Sequence, residues 1–346
     1  MLGELRLTED IEAKISEYYD RLYPDRGELR ISHVEDITSG WEARLLTYVV
    51  EYLEAGRTVR EERVIRLFQG HEAPQKADGE YGLLSRLHGM GFPVPEVFHV
   101  ETDASALGGS FIVMEYVRGR NLSEVLIEAS EEEAERLMTE FTRIWVDLHR
   151  LEGPAIIPGF PEGDTGRYLD DTLVTADRFI RDLGVSWLQP VVDWIEAHRG
   201  EVTPEGLSVI HMDYHTQNVM VRDDGRLVVL DWTQTAPGDY RADLAWTLLL
   251  MSTYGPQEVR DEILERYERV SGKETRDIEF FDVIASARRL LSVAASMSMG
   301  AEQLGMRSGA EEMMRESAGH FRKVYGLFRE RTGIELPEIE EFLNSL

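Results

Sequence analysis

The chain has 346 residues, contains no cysteine, and carries a formal net charge of −28 at pH 7. The lack of cysteine excludes disulfide bonds and thiolate metal sites, and the negative charge disfavours binding to nucleic acid or to an anionic membrane. The length suffices for two lobes, and because we find neither an apolar run that could span a bilayer nor the basic and apolar regions of a signal peptide, we expect a cytoplasmic protein.

Residues 1–117 are predicted to form an N-terminal lobe that is rich in strands. A leading helix at about 8–22 begins at Thr8, which can cap it, and its apolar residues recur on one face. Alternation of apolar and polar residues then predicts strands, with a helix at 75–90 between the third and the fourth. The five predicted strands are Ile31–Ile37, Ala43–Leu53, Arg60–Leu67, Val94–Glu101 and Ser110–Val117. This order predicts an antiparallel five-stranded sheet with one main helix.

Residues 118–346 are predicted to form a second, mostly helical lobe, so the fold class is α+β. Apolar residues there recur at helical spacing, and a loop rich in glycine and proline at 153–170 separates the first two helices. The predicted helices are 130–150, 172–199, 241–254, 256–270, 276–303 and 308–331.

The most specific pattern lies at residues 211–233. His211, Asp213 and Asn218 have the spacing His-x-Asp-x-x-x-x-Asn that phosphoryl-transfer sites of the kinase type use. Two short apolar runs around Asp224-Gly225 predict a tight β-hairpin, which would bring Asn218 back beside Asp231. Asp213 would then accept a proton from the attacking hydroxyl, while Asn218 and Asp231 would hold Mg²⁺ on the nucleotide phosphates. An ordinary hairpin whose polar residues cap turns is the alternative.

The segments Val209–Val221, Leu230–Trp232 and Asp239–Ala245 resemble the aminoglycoside phosphotransferase and choline kinase family. The resemblance implies a bilobal protein-kinase-like fold, with an N-terminal nucleotide-binding lobe and a C-terminal catalytic and substrate-binding lobe. It also implies a small-molecule acceptor with a hydroxyl group, and Mg²⁺ with ATP or GTP as the phosphoryl donor. The choice between ATP and GTP stays open.

Kinase-like sites need a cation on the third strand and a carboxylate on the following helix. No lysine lies between positions 14 and 76, so Arg66 is the candidate cation and Glu80 is the candidate carboxylate. A solvent-facing strand residue and an exposed helix charge are the alternatives. Ser39 and Gly40, in the turn between the first two strands, could cover the phosphates, although a plain hairpin turn explains them equally well.

The strand at Ser110–Val117 resembles the interlobe hinge of the family. The resemblance implies that main-chain groups of Glu115 and Val117 pair with the nucleotide base. Main-chain pairing leaves little side-chain signature, so an ordinary buried strand that leads into a turn fits the same residues.

Three further residues are predicted to support the site. We expect His211 and His215 to orient the loop by hydrogen bonds rather than to take part in the chemistry or to bind a metal. Asp243 matches a family aspartate that anchors this loop, although a helix N-cap would also explain it. The family usually has glycine at the position of Met212, which puts the geometry of the loop in question.

The acceptor is the least defined part of this prediction. Carboxylates in the C-terminal helices would suit a cationic acceptor such as an aminoglycoside, unless they belong to solvated helix faces. They are Asp277, Glu279, Glu302, Glu311 and Glu312. The alternative function is a catalytically silent kinase fold that binds a nucleotide or a partner. A protein kinase fits less well, because the C-terminal part has no Ala-Pro-Glu motif. The sequence leaves the oligomeric state open.

Overall fold

The computed structural model describes residues 2–24, 29–37, 43–161, 163, 166–256, 258–299 and 318–345, with the main chain only at 2–9 and 296–299. The chain divides into two compact units. Met1–Leu122 and Val219–Thr233 form the first unit, and Ser123–Asn218 and Gln234–Leu346 form the second. The segment that contains the predicted hairpin therefore belongs to the first unit, although it is far from the rest of that unit in sequence.

The strands are β1 (Arg30–Asp36), β2 (Ala43–Glu54), β3 (Arg57–Phe68), β4 (Val97–Glu101), β5 (Ser110–Glu115), β6 (Gly119–Asn121), β7 (Ser208–Ile210), β8 (Val219–Arg222), β9 (Leu227–Val229) and β10 (Ala236–Gly238). The helices are α1 (Leu2–Leu22), α2 (Ala73–Gly89), α3 (Leu122–Glu128), α4 (Glu131–His149), α5 (Gly153–Ile156), α6 (Arg167–Leu183), α7 (Gln189–His198), α8 (Tyr240–Tyr254), α9 (Val259–Ser271), α10 (Ile278–Met299), α11 (Ala318–Thr332) and α12 (Pro337–Ser345), with single 3₁₀ turns at Ser186–Leu188, Arg199–Glu201 and Thr216–Asn218. None of the helices in these described ranges is both long and apolar enough to cross a lipid bilayer.

A five-stranded sheet in the order β1-β2-β3-β5-β4 forms the main part of the first unit. Every neighbouring pair in it is antiparallel, which confirms the predicted sheet. β4 begins at Val97 and not at Val94 as predicted. The prolines at positions 93 and 95 explain the later start, because proline has no N–H to donate to a strand ladder.

Helices α1 and α2 pack on this sheet. Ile15 and Tyr18 of α1 are buried in one apolar cluster with Phe111 and Val113, which alternate along β5. Helix α2 packs against β4 and β5. The leading helix is thus part of the core of the first unit, and it starts earlier than predicted.

The predicted hairpin is present. β8 pairs with β9, and Gly225 in its turn has a φ of 83°, a left-handed conformation that favours glycine. The guanidinium of Arg222 donates to both carboxylate oxygens of Glu115, at 2.5 and 2.9 Å. The main-chain N–H of Val229 donates to the carbonyl of Pro93 at 2.8 Å. These bonds fix the hairpin within the first unit.

Helix α8 lies at the centre of the second unit and packs against α9, α10 and α11. The prediction of one continuous helix at 172–199 is wrong, because α6 ends at Leu183, with Gly184 as its cap, and α7 starts at Gln189. Gly184 has a left-handed φ of 67°, which is the usual conformation of a residue that ends a helix. The predicted loop at 153–170 contains the short helix α5 and the start of α6.

Candidate functional site

Three of the predicted residues meet in the first unit. Nε of Arg66, on β3, lies 3.4 Å from Oε2 of Glu80 on α2, and its Nη2 donates to Oδ1 of Asp231 at 3.1 Å. The side chains of Arg66 and Glu80 are 12% and 5% exposed. A charge buried to this degree needs a charged partner, so this arginine is held in place between two carboxylates rather than turned to solvent.

Asp231 keeps one oxygen for another partner. Its Oδ1 accepts from Arg66 and from Oγ1 of Thr233 at 3.1 Å, whereas Oδ2 has no hydrogen bond to any residue that the structure describes. The residue has a φ of 59°, which is uncommon outside glycine and frequently marks a functional position. A carboxylate oxygen of this kind is the hard ligand that Mg²⁺ prefers.

In the second unit, the loop after β7 holds the carboxylate of Asp213 through several contacts. Nδ2 of Asn218 donates to its Oδ2 and to its main-chain carbonyl, both at 2.9 Å. Nε1 of Trp246 donates to Oδ1 at 3.3 Å, and Nε2 of His215 lies 3.4 Å from the same oxygen. The carboxylate of Asp213 is therefore fixed from two sides.

The environment of Asp213 keeps it ionised. Burial raises the pKa of this carboxyl, but the imidazole of His215 and the indole N–H of Trp246 lower it further than burial raises it, to about 2. At neutral pH the group is a carboxylate that can accept a hydrogen bond from a hydroxyl.

The orientation of Asn218 also suits the role that its spacing predicts. Both of its hydrogen bonds to Asp213 use the amide nitrogen, and Oδ1 has no hydrogen bond within the described part of the chain. An amide oxygen held in this way can serve a hard cation. In the described ranges no group of three His, Cys, Asp or Glu side chains forms a metal site.

Asp243 anchors the loop from the first turn of α8. Its fully buried carboxylate accepts from Nε1 of Trp145 at 2.9 Å, from Nε2 of His149 at 3.0 Å, and from the main-chain N–H groups of His211 and Met212 at 3.1 and 2.5 Å. Burial raises the pKa of Asp243, but its bond to His149 and the nearby imidazoles outweigh burial and hold the pKa below its ordinary value. Asp239, not Asp243, is the residue that caps α8.

Met212, at a position where the resembled family usually has glycine, adopts a left-handed backbone conformation. Its φ is 63°, in the left-handed region that side chains with a Cβ atom avoid. The bond from its N–H to Asp243 and the bond from Nη1 of Arg288 to its carbonyl, at 2.9 Å, hold it there. The loop thus keeps a glycine-like backbone although it has methionine at this position.

His211 and His215 lie in the loop and contact its main chain. Nδ1 of His211 accepts from the N–H of Asp213, and Nδ1 of His215 accepts from the N–H of Gln217, both at 3.3 Å. The His211 ring is fully buried. Both imidazoles thus contact the main chain of the loop, and their role in orienting it stays a prediction.

The remaining predicted positions give less information. Ser39 and Gly40 lie outside the described residues. Glu115 ends β5, its N–H donates to the carbonyl of Glu96 at 2.8 Å, and Val117 follows in a non-strand segment.

Two residues near Asp213, Trp246 and Arg288, were not predicted from the sequence. Trp246 lies three residues after Asp243 on α8, so helical spacing could have placed it on the same side. Arg288 interrupts the apolar sequence of α10, which is a signal of a buried or functional charge.

A cavity of about 740 Å³ lies in the second unit, with Met212, Trp246 and Arg288 among its lining residues. Asp277 and Glu279, predicted for an acidic acceptor site, line a different cavity of about 240 Å³. Glu302, Glu311 and Glu312 lie outside the described residues.

Comparison with known sequences shows one family and several distant relatives. The profile of the phosphotransferase enzyme family (APH) matches residues 33–281. Acyl-CoA dehydrogenase family member 10 of Mus musculus is 26% identical over 179 residues, and family member 11 of Homo sapiens is 25% identical over 178 residues. Each alignment covers 49% of this chain, but only 16% of the mouse protein and 22% of the human protein.

Solved structures share the fold over most of the chain. A protein of Ralstonia eutropha JMP134, provisionally assigned as an aminoglycoside phosphotransferase, has a TM-score of 0.69 at 20% identity, covering 93% of this chain and 98% of that one. The spectinomycin phosphotransferase APH(9)-Ia, in complex with ADP and spectinomycin, has a TM-score of 0.55 at 12% identity, covering 92% and 98%. A mutant of APH(4)-Ia with ADP and hygromycin B has a TM-score of 0.58 at 14% identity, covering 90% and 97%. These similarities confirm the predicted α+β, protein-kinase-like fold.

Proposed function

Because this chain belongs to the phosphotransferase enzyme family, we propose that it is a small-molecule kinase that transfers the γ-phosphoryl group of a nucleoside triphosphate to a hydroxyl group. One observation carries the proposal. Asp213 is ionised and buried in part, Asn218 and Trp246 fix both its oxygens, and it lies at the predicted position of a catalytic base.

In the proposed reaction, the acceptor oxygen attacks the γ-phosphorus in line with the bond that breaks. A new P–O bond forms to the acceptor, and the bond between the γ-phosphorus and the β,γ-bridging oxygen breaks, so that ADP or GDP leaves with that electron pair. Asp213 accepts the hydroxyl proton and later releases it to solvent. A carboxylate with a pKa of about 2 is a weak base, so its main contribution is to orient the hydroxyl.

Residues of the first unit would bind the nucleotide. Arg66, held by Glu80, would neutralise the phosphates, and Ser39 and Gly40 would cover them through main-chain N–H groups. Asp231 and Asn218 would each supply an oxygen to Mg²⁺, which neutralises the phosphates when it is bound. Since the N–H of Glu115 already bonds to Glu96, we expect its carbonyl and the N–H of Val117 to contact the base.

Either ATP or GTP can serve as donor in this proposal. Solved relatives of the same fold bind ADP, and one, an aminoglycoside 2'-phosphotransferase IIIa mutant, binds GDP. Main-chain contacts to the base leave no side-chain signature that would favour one of the two. An enzyme with these donors suits the cytoplasm, where we expect this chain to act.

An aminoglycoside is one candidate acceptor, supported by the relatives that bind hygromycin B and spectinomycin. A role in antibiotic resistance would follow only from an antibiotic acceptor, whereas another hydroxyl compound would indicate metabolism.

Metal-dependent turnover tests the proposal. Release of ADP and GDP would be measured with Mg²⁺, and with EDTA in its place, across aminoglycosides, macrolides, amino alcohols and hydroxy acids. We expect release with at least one acceptor, and loss of Mg²⁺-dependent nucleotide binding in Asp231→Ala. Asp223→Ala is the matched control, because it removes an exposed carboxylate from the turn of the same hairpin. Nucleotide binding without turnover for any acceptor would instead support the silent, binding-only alternative.

A further inference from the structure

The large cavity of the second unit is mainly apolar, and two of its lining residues are neighbours of Asp213. Met212, directly before Asp213, and Trp246, which donates to it, form part of the wall. Apolar side chains of α6, α7 and α10 form much of the remainder, among them Ile180, Val191, Ile195, Ile284 and Leu291. A molecule that fills this cavity can therefore place a hydroxyl near Asp213 while most of its surface contacts apolar groups.

The charged residues of the lining do not suit a polycation. In the described part of the chain they are Arg167, Asp171 and Arg288. Nε of Arg167 lies 3.3 Å from Oδ2 of Asp171, one turn along the same helix, so these two charges compensate each other. A polycationic acceptor would need several carboxylates, since a cation in an apolar cavity without them loses its hydration. The net charge of the whole chain therefore does not predict the charge of this cavity.

Because Arg167 pairs with Asp171, Arg288 is the remaining cation among the described residues of the lining. Its Nη1 donates to the carbonyl of Met212, and its guanidinium lies 4.0 Å from the ring centroid of Trp246. No carboxylate of the described residues lies within 4.0 Å of it, and its Nε and Nη2 have no hydrogen bond to the residues described. Burial lowers the pKa of Arg288, although nearby Tyr168 and Asp213 act in the other direction. A guanidinium in this position gains from an anionic ligand, which it can bind with two parallel hydrogen bonds.

We propose that the acceptor is a hydroxylated compound with a mainly apolar body and one anionic group, such as a hydroxy carboxylate, and that Arg288 binds the anion. The apolar body would fill the cavity, and the hydroxyl would face Asp213. The hydroxyl group of the acceptor is inferred from the proposed kinase function. Its apolar body and its anionic group are inferred from the cavity alone.

Calorimetric binding in the absence of nucleotide tests the cavity separately from catalysis. The probes are β-hydroxydecanoate and ω-hydroxydecanoate, the methyl ester of each, and kanamycin as a polycation. We expect each acid to bind about tenfold more tightly than its methyl ester, since only the acid carries the negative charge that a guanidinium binds through charge-assisted hydrogen bonds. Kanamycin should bind more weakly than either acid.

Variants separate the anion contact from the apolar contact. In Arg288→Gln the preference for acid over ester should disappear, while the affinity for the ester stays within a few-fold of wild type. Arg289→Gln is the matched control, because the neighbouring arginine bonds to His320 and Tyr254. Thr175→Trp, at an exposed position of the lining, should weaken binding of acid and ester alike by filling the cavity.

Measuring ADP release with the same probes then separates the proposed kinase function from the proposed assignment of the acceptor. Binding of the acids that depends on Arg288, without phosphorylation of any probe, would support the cavity assignment and count against the kinase. Phosphorylation of kanamycin without binding of the acids would support the kinase and overturn the assignment of the acceptor. An unchanged ratio of acid to ester affinity in Arg288→Gln would also overturn it.

Discussion

At the level of single residues, the loop around Asp213 depends on charges that are buried and paired. Asp213 contacts Asn218, His215 and Trp246, and Asp243 accepts hydrogen bonds from the N–H groups of His211 and Met212. These contacts fix the carboxylate of Asp213, and in the proposed reaction such positioning would lower the barrier of the transfer.

Met212 provides a test of backbone strain in this loop. Met212→Ala and Met212→Gly remove the same side chain, but only glycine relieves the left-handed φ of 63°. We expect Met212→Gly to be more stable than Met212→Ala by about 1 kcal/mol, the reverse of the usual order of these residues. Urea unfolding of the two variants measures the difference. Greater stability of the alanine variant would show that this φ does not strain the loop.

Asp243 makes stability dependent on pH. Asp243→Asn should lower the free energy of unfolding at pH 7 by about 2–4 kcal/mol, because it removes a buried charge that four donors share. Since the pKa of Asp243 is lower in the folded state than its unfolded value of about 3.9, this stabilisation is present above that value. It is lost as the pH falls through the lower, folded pKa.

Urea unfolding of wild type and Asp243→Asn, in steps from about pH 7 to about pH 3, checks the sign of this effect. The difference between the two proteins should stay constant at first and shrink below about pH 4. Asp147→Asn, an exposed substitution on α4, is the control and should change little at any pH. A difference that grows on acidification would contradict the assignment.

Spacing in the sequence predicted roles for Asp213 and Asn218 in one loop and for Asp231 after one hairpin, because such local arrangements follow from short-range signals. Spacing within the loop did not predict the contacts that Trp246 and Arg288 make with it, since these contacts span 33 and 76 residues. Such contacts arise from helix packing, which local spacing does not encode.

At the level of elements, the hairpin of β8 and β9 depends on a close approach by β6. A Cβ atom added at Gly119 would lie 2.1 Å from the carbonyl oxygen of Val221, and Gly119 has a φ of 150°. We expect Gly119→Ala to lower the free energy of unfolding by about 2 kcal/mol or more. Gly79→Ala, in α2 with open space around it, should be neutral or slightly stabilising. Equal effects of the two substitutions in urea unfolding would argue against this packing.

Local sequence signals were sufficient to predict the sheet and the hairpin but not the break between α6 and α7. The sheet and the hairpin were predictable because alternation and an Asp-Gly turn are local signals. The break between α6 and α7 was missed although Gly184 and Pro190 mark it, because apolar periodicity continues through both helices.

At the level of the whole molecule, 65 acidic residues face 37 basic ones, so the folded chain repels itself. Raising NaCl from about 0.02 to about 0.5 M should raise the unfolding temperature by a few degrees, since screening weakens this repulsion. Differential scanning calorimetry measures the change. A lower unfolding temperature in salt would mean that the attraction within ion pairs, which salt also screens, outweighs the net repulsion.

In the proposed reaction, Asp213 orients the hydroxyl that attacks the γ-phosphorus. The most direct measurement is single-turnover transfer of a labelled γ-phosphoryl group from ATP or GTP to the acceptor, in wild type and in Asp213→Asn, with nucleotide affinity measured in parallel. We predict that the rate in the variant falls by about a thousandfold while affinity changes by less than about threefold. If the variant transfers the phosphoryl group at nearly the wild-type rate, Asp213 does not have this role.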